Sequence, residues 1–356
     1  MKKFLIQITA VCIIYFIVTH AEQSVIYASD AIDMCFGIII PTLFPFFICS
    51  GLLIYSGFCE TLARVFRFCM RPLFKVSPMG ASAFVIGIIS GYPLGAITAG
   101  ELYKNNYITK TEAERLLAFC NNSGPLFILG SVGLAMYSEL KYGIILYVCH
   151  ILAAIAVGII FRFYKRNDYM APETVMTSPP RSGAEIFSIA LNNAVSSMLT
   201  VCGAVVFFSV ASRIVISHIP LQNAFAALVS GICEFVTGSV QISSLDMPLA
   251  QRLVLTAFVV GFAGSSVHIQ VLASVAKYEL SMKPYIIGKL LHGIIAAIFT
   301  YLYMCTDPIT SAVFKTSINK SFTASASCGI TTLIIIAVIC TAIKLLGKFN
   351  LIKPRG

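Results

Sequence analysis

Two polar, glycine-containing stretches interrupt apolar segments of the sequence. They are Phe119-Cys120-Asn121-Asn122-Ser123-Gly124-Pro125 and Phe262-Ala263-Gly264-Ser265-Ser266-Val267-His268. The two lie about 143 residues apart, an offset that also pairs Ser123 with Ser266, Leu129 with Leu272 and Ser131 with Ser274. Asn121, Asn122 and Ser123 bring amide and hydroxyl groups that both donate and accept. A helix restarting at Gly124-Pro125 would turn backbone N–H groups, with their partial positive charge, toward a bound anion. Such side chains also glue membrane helices together, but three adjacent polar residues followed by Gly-Pro favour binding. Corresponding interruptions in two halves of an apolar chain point to a transporter's binding site.

The second half adds ionisable groups. Glu234, in Glu234-Phe235-Val236-Thr237-Gly238, and His268 fall at membrane depth, where a charge is costly and marks a functional site by default. His268 titrates near physiological pH and suits a coupled proton or a substrate contact. Each of the two can instead serve loose backbone groups. If their elements meet, the pair should titrate together or neutralise one another. Ser265, Ser266, Thr237 and Gln270 are weaker candidates, and Ser90 and Tyr92, in Ser90-Gly91-Tyr92-Pro93-Leu94-Gly95, complete the substrate-binding set. His150 and His292 stand alone on apolar helices and read as core histidines, and Asp30 and Asp33 as a solvated outer face. No Ser-His-Asp order, HExxH, Walker loop or dinucleotide-type glycine motif occurs, so neither an enzyme, a metal nor a cofactor is expected.

The elements that must position these residues are membrane helices. Of the 356 residues 58% are hydrophobic and 11% charged, with a mean hydropathy of +0.89, against roughly 45–50% and about 25% in soluble domains. A net charge of +10 comes from Lys and Arg in loops beside apolar segments, which is the positive-inside pattern and not a nucleic-acid surface. Most of the cysteines lie in apolar windows and no CxxC occurs, so they act as small hydrophobes. Lys2 and Lys3 precede a stretch that resembles a signal peptide, but Thr19-His20-Ala21 is a poor cleavage site, and an uncleaved first span is expected.

About eight crossings are expected: Phe4–Ala21, Cys35–Gly57, Leu116–Tyr137, Gly143–Phe163, Phe187–Ile216, Leu253–Val275, Pro284–Met304 and Cys328–Ile343. Met79–Ala99 and Leu221–Leu245 are ambiguous. A single crossing by Met79–Ala99 would put Lys104, Lys110, Arg115, Arg162 and Lys165 outside, whereas a re-entrant hairpin with its tip at Ser90–Gly95 leaves every basic cluster inside. The same parity makes Leu221–Leu245 a hairpin with its tip near Glu234, entering from the other side. The fold expected is an all-α polytopic membrane protein, an inverted repeat of spans, hairpins and broken helices whose tips and breaks converge near the midplane. Its parts are residues 1–34 (first span and outer segment), 35–166 (repeat 1), 167–183 (cytoplasmic linker with Pro172, Pro179 and Pro180), 184–304 (repeat 2) and 305–356 (outer loop, last span and basic tail). Thr111-Glu112-Ala113-Glu114 has capping-box spacing, and Arg64–Lys75 reads as an interfacial amphipathic stretch.

Ser90-Gly91-Tyr92-Pro93-Leu94-Gly95-Ala96, followed by Ala113-Glu114-Arg115-Leu116-Leu117-Ala118 and the first break through Ile128, resembles the YlbJ family of sporulation integral membrane proteins, which carry the nucleoside-recognition gate domain. The similarity runs from about Cys35 to Met304 and is looser in the second half, through Gly231, Glu234, Thr237, Gly238 and Gly261–His268. The resemblance implies a relative of concentrative nucleoside transporters with two hairpins and two broken helices around a midplane site. It further implies a secondary-type carrier of a small polar or anionic molecule, with dipicolinic acid export from the mother cell during sporulation as the leading activity. A nucleoside-like solute and a non-transporting scaffold of spore-envelope assembly are the alternatives. The partners expected are a small-molecule substrate and the lipid bilayer, with room for a coupling proton or sodium ion and for an oligomer. The expected location is the cell membrane, or the outer forespore membrane derived from the mother cell in a sporulating host.

Overall fold

The computed structural model describes residues 2–165, 182–217 and 223–306. Among these residues the backbone is helical and forms no strand, as a bilayer requires, because a helix satisfies every N–H and C=O within itself. The chain begins with α1 (Lys2–Thr19), α2 (Ala21–Met34), a π-helical turn (Cys35–Ile39), α3 (Ile40–Tyr55) and α4 (Phe58–Cys69). α5 (Gly80–Ser90) and α6 (Leu94–Lys104) form a hairpin. α7 (Lys110–Leu117), an irregular segment, a π-helical arm (Phe127–Met136) and α8 (Leu140–Phe161) complete the first half. The second half repeats this order: long α9 (Gly183–Ser217), a hairpin of α10 (Asn223–Cys233) and α11 (Phe235–Ser243), the broken pair α12 (Leu249–Phe262) and α13 (Gly264–Val275), and α14 (Lys283–Thr306). Ile40 and Gly183, Gly80 and Asn223, and Leu140 and Lys283 open corresponding helices, each pair 143 residues apart.

The protein is thus an all-α polytopic membrane protein. α8, α9, the α12–α13 run to Tyr278 and α14 are each long and apolar enough to cross a bilayer, and they match four of the eight expected crossings. The first two crossings, Phe4–Ala21 and Cys35–Gly57, differ from expectation. Helix α2 continues through the π-turn into α3, so the second apolar helix starts at Ala21 and not at Cys35, and α1 meets it at 102°. At the junction Thr19 Oγ1 donates to the Tyr15 carbonyl at 2.8 Å and His20 Nδ1 to the Phe16 carbonyl at 3.1 Å, side-chain bonds of the kind that bend a helix. Leu116–Tyr137 is split into two arms at the Phe119–Pro125 break, as expected. The Cys328–Ile343 span, the loop and tail of residues 307–356, and the linker over residues 166–181 lie outside the described residues.

Both ambiguous windows are hairpins. Each arm of α5 and α6 has 11 residues, about 16 Å of helix, half of a hydrocarbon core of roughly 30 Å. α10 has 11 and α11 has 9. The arms of each pair cross closely at glycines. A Cβ on Gly87 would lie 3.3 Å from Gly95 Cα, and one on Gly238 would overlap the Gly231 backbone.

The basic loops gather at one end. The Arg115 guanidinium, 1% exposed, donates to the carbonyls of Lys75 (2.7 Å), Tyr164 (2.9 Å) and Lys165 (2.8 Å). Glu114 accepts from Tyr164 Oη and Lys165 Nζ, both at 3.0 Å, and from the Ser281 N–H at 3.1 Å; its carboxylate raises the pKa of Lys165. Glu101 accepts from Tyr278 Oη and pairs with Lys277. At the opposite end Tyr137 bonds Thr256 (2.8 Å) and Arg252 donates to the Ser243 carbonyl (2.5 Å). The start of the first broken helix therefore meets the end of the second, and its end meets the start of the second, so the two run antiparallel. By the same contacts the hairpins enter from opposite ends. The capping box is displaced from its expected position: Thr109 is the N-cap and Glu112 closes the box, with Glu112 Oε2 accepting from the Thr109 N–H at 2.7 Å. Glu112 Oε1 also accepts the Ser77 N–H at 2.7 Å, which ties α7 to the root of the first hairpin and fixes the choice two residues upstream.

Candidate functional site

Each hairpin tip packs on the break of its own half, and a glycine in left-handed backbone makes the contact. Gly91 (φ 78°) leaves a tip on which a Cβ would lie 3.0 Å from Gly124 N. Gly264 (φ 66°) follows Ala263 (φ 75°), and a Cβ there would lie 2.9 Å from Phe235 N at the second tip. Two successive left-handed residues turn the chain out of α12 and into α13, a backbone region that costs a residue with a Cβ about 1–2 kcal/mol.

The two tips and two breaks line one cavity. Its wall includes Ser90, Gly91 and Tyr92 from the first tip, Ser123, Gly124 and Phe127 from the first break, Glu234 to Val236 from the second tip, and Val267 and Gln270 from α13. Leu43, Phe46 and Phe47 of α3 and Val201 and Val205 of α9 close it with apolar surface. About 40 Å³ is open to water, enough for a few molecules at roughly 10–15 Å³ each, so a ring-sized solute requires the elements to part.

Of the eleven residues the sequence singled out, Ser90, Tyr92, Ser123, Glu234 and Gln270 line this cavity. Asn121 and Asn122 lie behind it, fully buried. Asn121 Oδ1 accepts the Ala96 N–H at 3.0 Å and so caps α6 from across the break, while its Nδ2 has no partner. Asn122 Nδ2 donates to the Phe119 carbonyl at 3.0 Å and leaves Oδ1 unpartnered. Ser265 donates to the Ile232 carbonyl at 3.1 Å, and buried Ser266 has an unpartnered hydroxyl. Thr237 faces a second, more open cavity with Asp30, Ser209, Arg213 and Gln241. Tyr92 Oη donates to the Val260 carbonyl at 3.0 Å, joining the first tip to α12.

Three expectations are corrected. Glu234 and His268 are not a pair. Glu234 is the N-cap of α11, its Oε1 accepting the Val236 N–H (3.1 Å) and its Oε2 the Thr237 N–H (2.6 Å), because a carboxylate is the natural occupant of orphan donors at a helix start. His268 Nδ1 donates instead to the Gly264 carbonyl at 2.7 Å, its ring lying between Phe262 and Tyr285. Second, the N–H of Ser123 does not await an anion: it donates to His150 Nε2 at 3.1 Å. Third, His150 and His292 are not isolated, since their rings lie 4.3 Å apart, tilted by 39°, with His292 beside Lys289.

Lys289 is the residue that sequence reasoning passed over. With Tyr285 and His292 it forms one face of α14, the helix whose Gly288 lies against the Ala118 backbone at the first break. Lys289 Nζ donates to the Asn121 carbonyl, freed by the break, at 3.0 Å and sits 5.3 Å from the Tyr92 ring centroid. The signal was available: one lysine inside an otherwise apolar span is an intramembrane ionisable residue. Among the described residues no cluster of His, Cys, Asp and Glu has the makings of a metal site.

Comparison with known proteins supplies the remaining constraint. No family model and no solved structure matches the chain. It is 30% identical to sporulation integral membrane protein YlbJ of Bacillus subtilis (strain 168) over an alignment of 351 positions that covers 87% of this chain and 86% of that protein. Identity of that degree along nearly the whole length of both chains shows the family, and the chain belongs to the YlbJ family of sporulation integral membrane proteins.

Proposed function

We propose that the chain is a secondary-type carrier which moves a small anionic aromatic molecule across a membrane, with dipicolinic acid leaving the mother cell during sporulation as its substrate. The observation that carries the reading is the shared cavity: two hairpin tips and two helix breaks, entering from opposite ends, face one space. A scaffold has no use for such breaks, because irregular backbone at membrane depth is tolerated only where protein buries it or a watery cavity adjoins it. The antiparallel halves supply two gates around one site, the arrangement by which alternating access works. Phe47, Phe127, Phe235 and Tyr92 give the wall aromatic faces suited to a planar ring, and Ser90, Ser123 and Gln270 give it polar edges. The relative's name places that protein in sporulation, and the membrane that fits this role is the outer forespore membrane.

Purified protein in proteoliposomes tests the proposal. Saturable uptake of labelled dipicolinate, competed by unlabelled dipicolinate and not by nucleosides, is expected. Uptake of nucleosides alone would replace the substrate with a nucleoside-like solute. Flux of both no greater than in protein-free liposomes would remove transport and leave a scaffold.

A further inference from the structure

Lys289 is fully buried, and among the described residues no carboxylate lies within ion-pair distance of it. Its donors are met by neutral groups: the Asn121 carbonyl at 3.0 Å, His292 Nδ1 at 3.4 Å and the face of Tyr92. Backbone carbonyls fix the histidine tautomers. His292 Nε2 lies 3.0 Å from the His150 carbonyl, which only accepts, so Nε2 holds the hydrogen and Nδ1 offers Lys289 a lone pair. His150 Nε2 accepts from the Ser123 N–H, so its hydrogen is on Nδ1. The other ionisable groups facing Lys289 are Cys120 on the break, His268 on α13, Tyr92 on the first tip and, one turn earlier on α14, Tyr285. The charged residue of α12, Arg252, is spent on the Ser243 carbonyl at the far end. The Tyr92 side chain, whose ring centroid is 5.3 Å from the ammonium, also lines the cavity.

A lone cation in this setting is stabilised by an anion that comes and goes, and a bare imidazole nitrogen beside it can take its proton. We propose, resting on the carrier reading of the cavity, that Lys289 is the proton-carrying counter-charge of the transport cycle. It is protonated while an anionic solute occupies the space beyond Tyr92. When the site empties, one Nζ–H bond breaks, one N–H bond forms at His292 Nδ1, and that proton passes to water as the site opens. The binding constant then falls as pH rises through the titration of Lys289. A unit charge about 8–10 Å from the anion, at an effective dielectric of about 20, changes that constant by roughly 15–30-fold.

The test uses full-length protein in proteoliposomes with labelled dipicolinate, with and without an inward proton gradient, and equilibrium binding in detergent. The wild type accumulates dipicolinate under the gradient and takes up protons with it. Lys289→Met binds about 15–30-fold more weakly and loses gradient-driven accumulation. Lys289→Arg keeps a charge that cannot be released, so affinity is retained to within about threefold while the response to the gradient is lost. Gradient-driven accumulation by either variant at the wild-type level overturns the proposal. Wild-type transport indifferent to the gradient also overturns it and leaves the carrier standing, whereas a wild type that moves neither dipicolinate nor nucleosides overturns both.

Discussion

Glu234 offers a sharp test of whether the second hairpin tip is held by a helix cap or by an ion pair with His268. Its two oxygens accept the Val236 and Thr237 N–H groups at 3.1 and 2.6 Å in a fully buried position. Glu234→Gln keeps the shape and one acceptor but turns an amide NH₂ toward the second N–H. That leaves a buried donor unsatisfied, a cost of about 1–3 kcal/mol, and it removes a negative charge from a helix N-terminus, worth up to about 2 kcal/mol in a partly buried setting. Relief of the carboxylate's own desolvation offsets part of this, so a net loss of about 1–3 kcal/mol is expected. The assay is unfolding in mixed micelles, followed by reaction of a thiol dye with the buried Cys120 and Cys149. His268→Leu is measured alone and in combination. Since His268 bonds Gly264 and not Glu234, the two losses should add to within about 0.5 kcal/mol. An unchanged stability in Glu234→Gln, or a coupling energy above about 1 kcal/mol between the two sites, would refute the cap.

Three further outcomes follow from the contacts. Arg115→Leu strands the carbonyls of Lys75, Tyr164 and Lys165 and, at about 1–3 kcal/mol for each unsatisfied acceptor, should lower stability by at least about 3 kcal/mol in the same unfolding assay; a loss below about 1 kcal/mol would mean water replaces the guanidinium freely. The double variant Asn121→Leu, Asn122→Leu removes the cap on Ala96 and should weaken dipicolinate binding by about 1–3 kcal/mol while the protein still inserts; wild-type binding would show that these amides only pack. Gly95→Val drives a side chain into the Cys120 carbonyl and should abolish gradient-driven uptake, whereas Gly37→Val, where a Cβ has nothing within 4 Å, should leave it intact; equal uptake by both would mean that the first tip need not seat on its break.

Much of this fold was legible because a bilayer leaves few choices. Asn121-Asn122-Ser123-Gly124 and Ala263-Gly264-Ser265 stood out against apolar neighbours, and charge parity distinguished hairpins from spans where hydropathy alone did not. The network of Arg115, Glu114 and Glu101 gathers at one end the loops that parity had assigned to one side. What escaped depended on side-chain direction or on competition between near-equal local signals. Thr109 and Thr111 both precede a glutamate by three residues, and only the reach of Glu112 to Ser77 decides between them. Glu234 and His268 lie near the same tip, but each is claimed by backbone of its own element, which no spacing rule reveals. Lys289 was hidden by averaging, because one lysine barely lowers the hydropathy of the Pro284–Met304 window. The end of α1 at Thr19 falls within two residues of the expected Ala21, whereas Ala21–Met34, helical and continuous with the next span, carries Glu22, Asp30 and Asp33 and so did not stand out by hydropathy.

The central claim is that the cavity between the two tips is the substrate's path. Ser90 lines it and is 2% exposed in the closed arrangement described here, so reagent reaches that position only when a gate opens. The direct measurement is the rate at which Ser90→Cys, in a background with the native cysteines replaced, reacts with a membrane-impermeant thiol reagent applied from either side of the bilayer. The account predicts slow reaction from both sides and at least several-fold protection by saturating dipicolinate. Reaction from one side only, or rates that neither dipicolinate nor nucleosides alter, would contradict it.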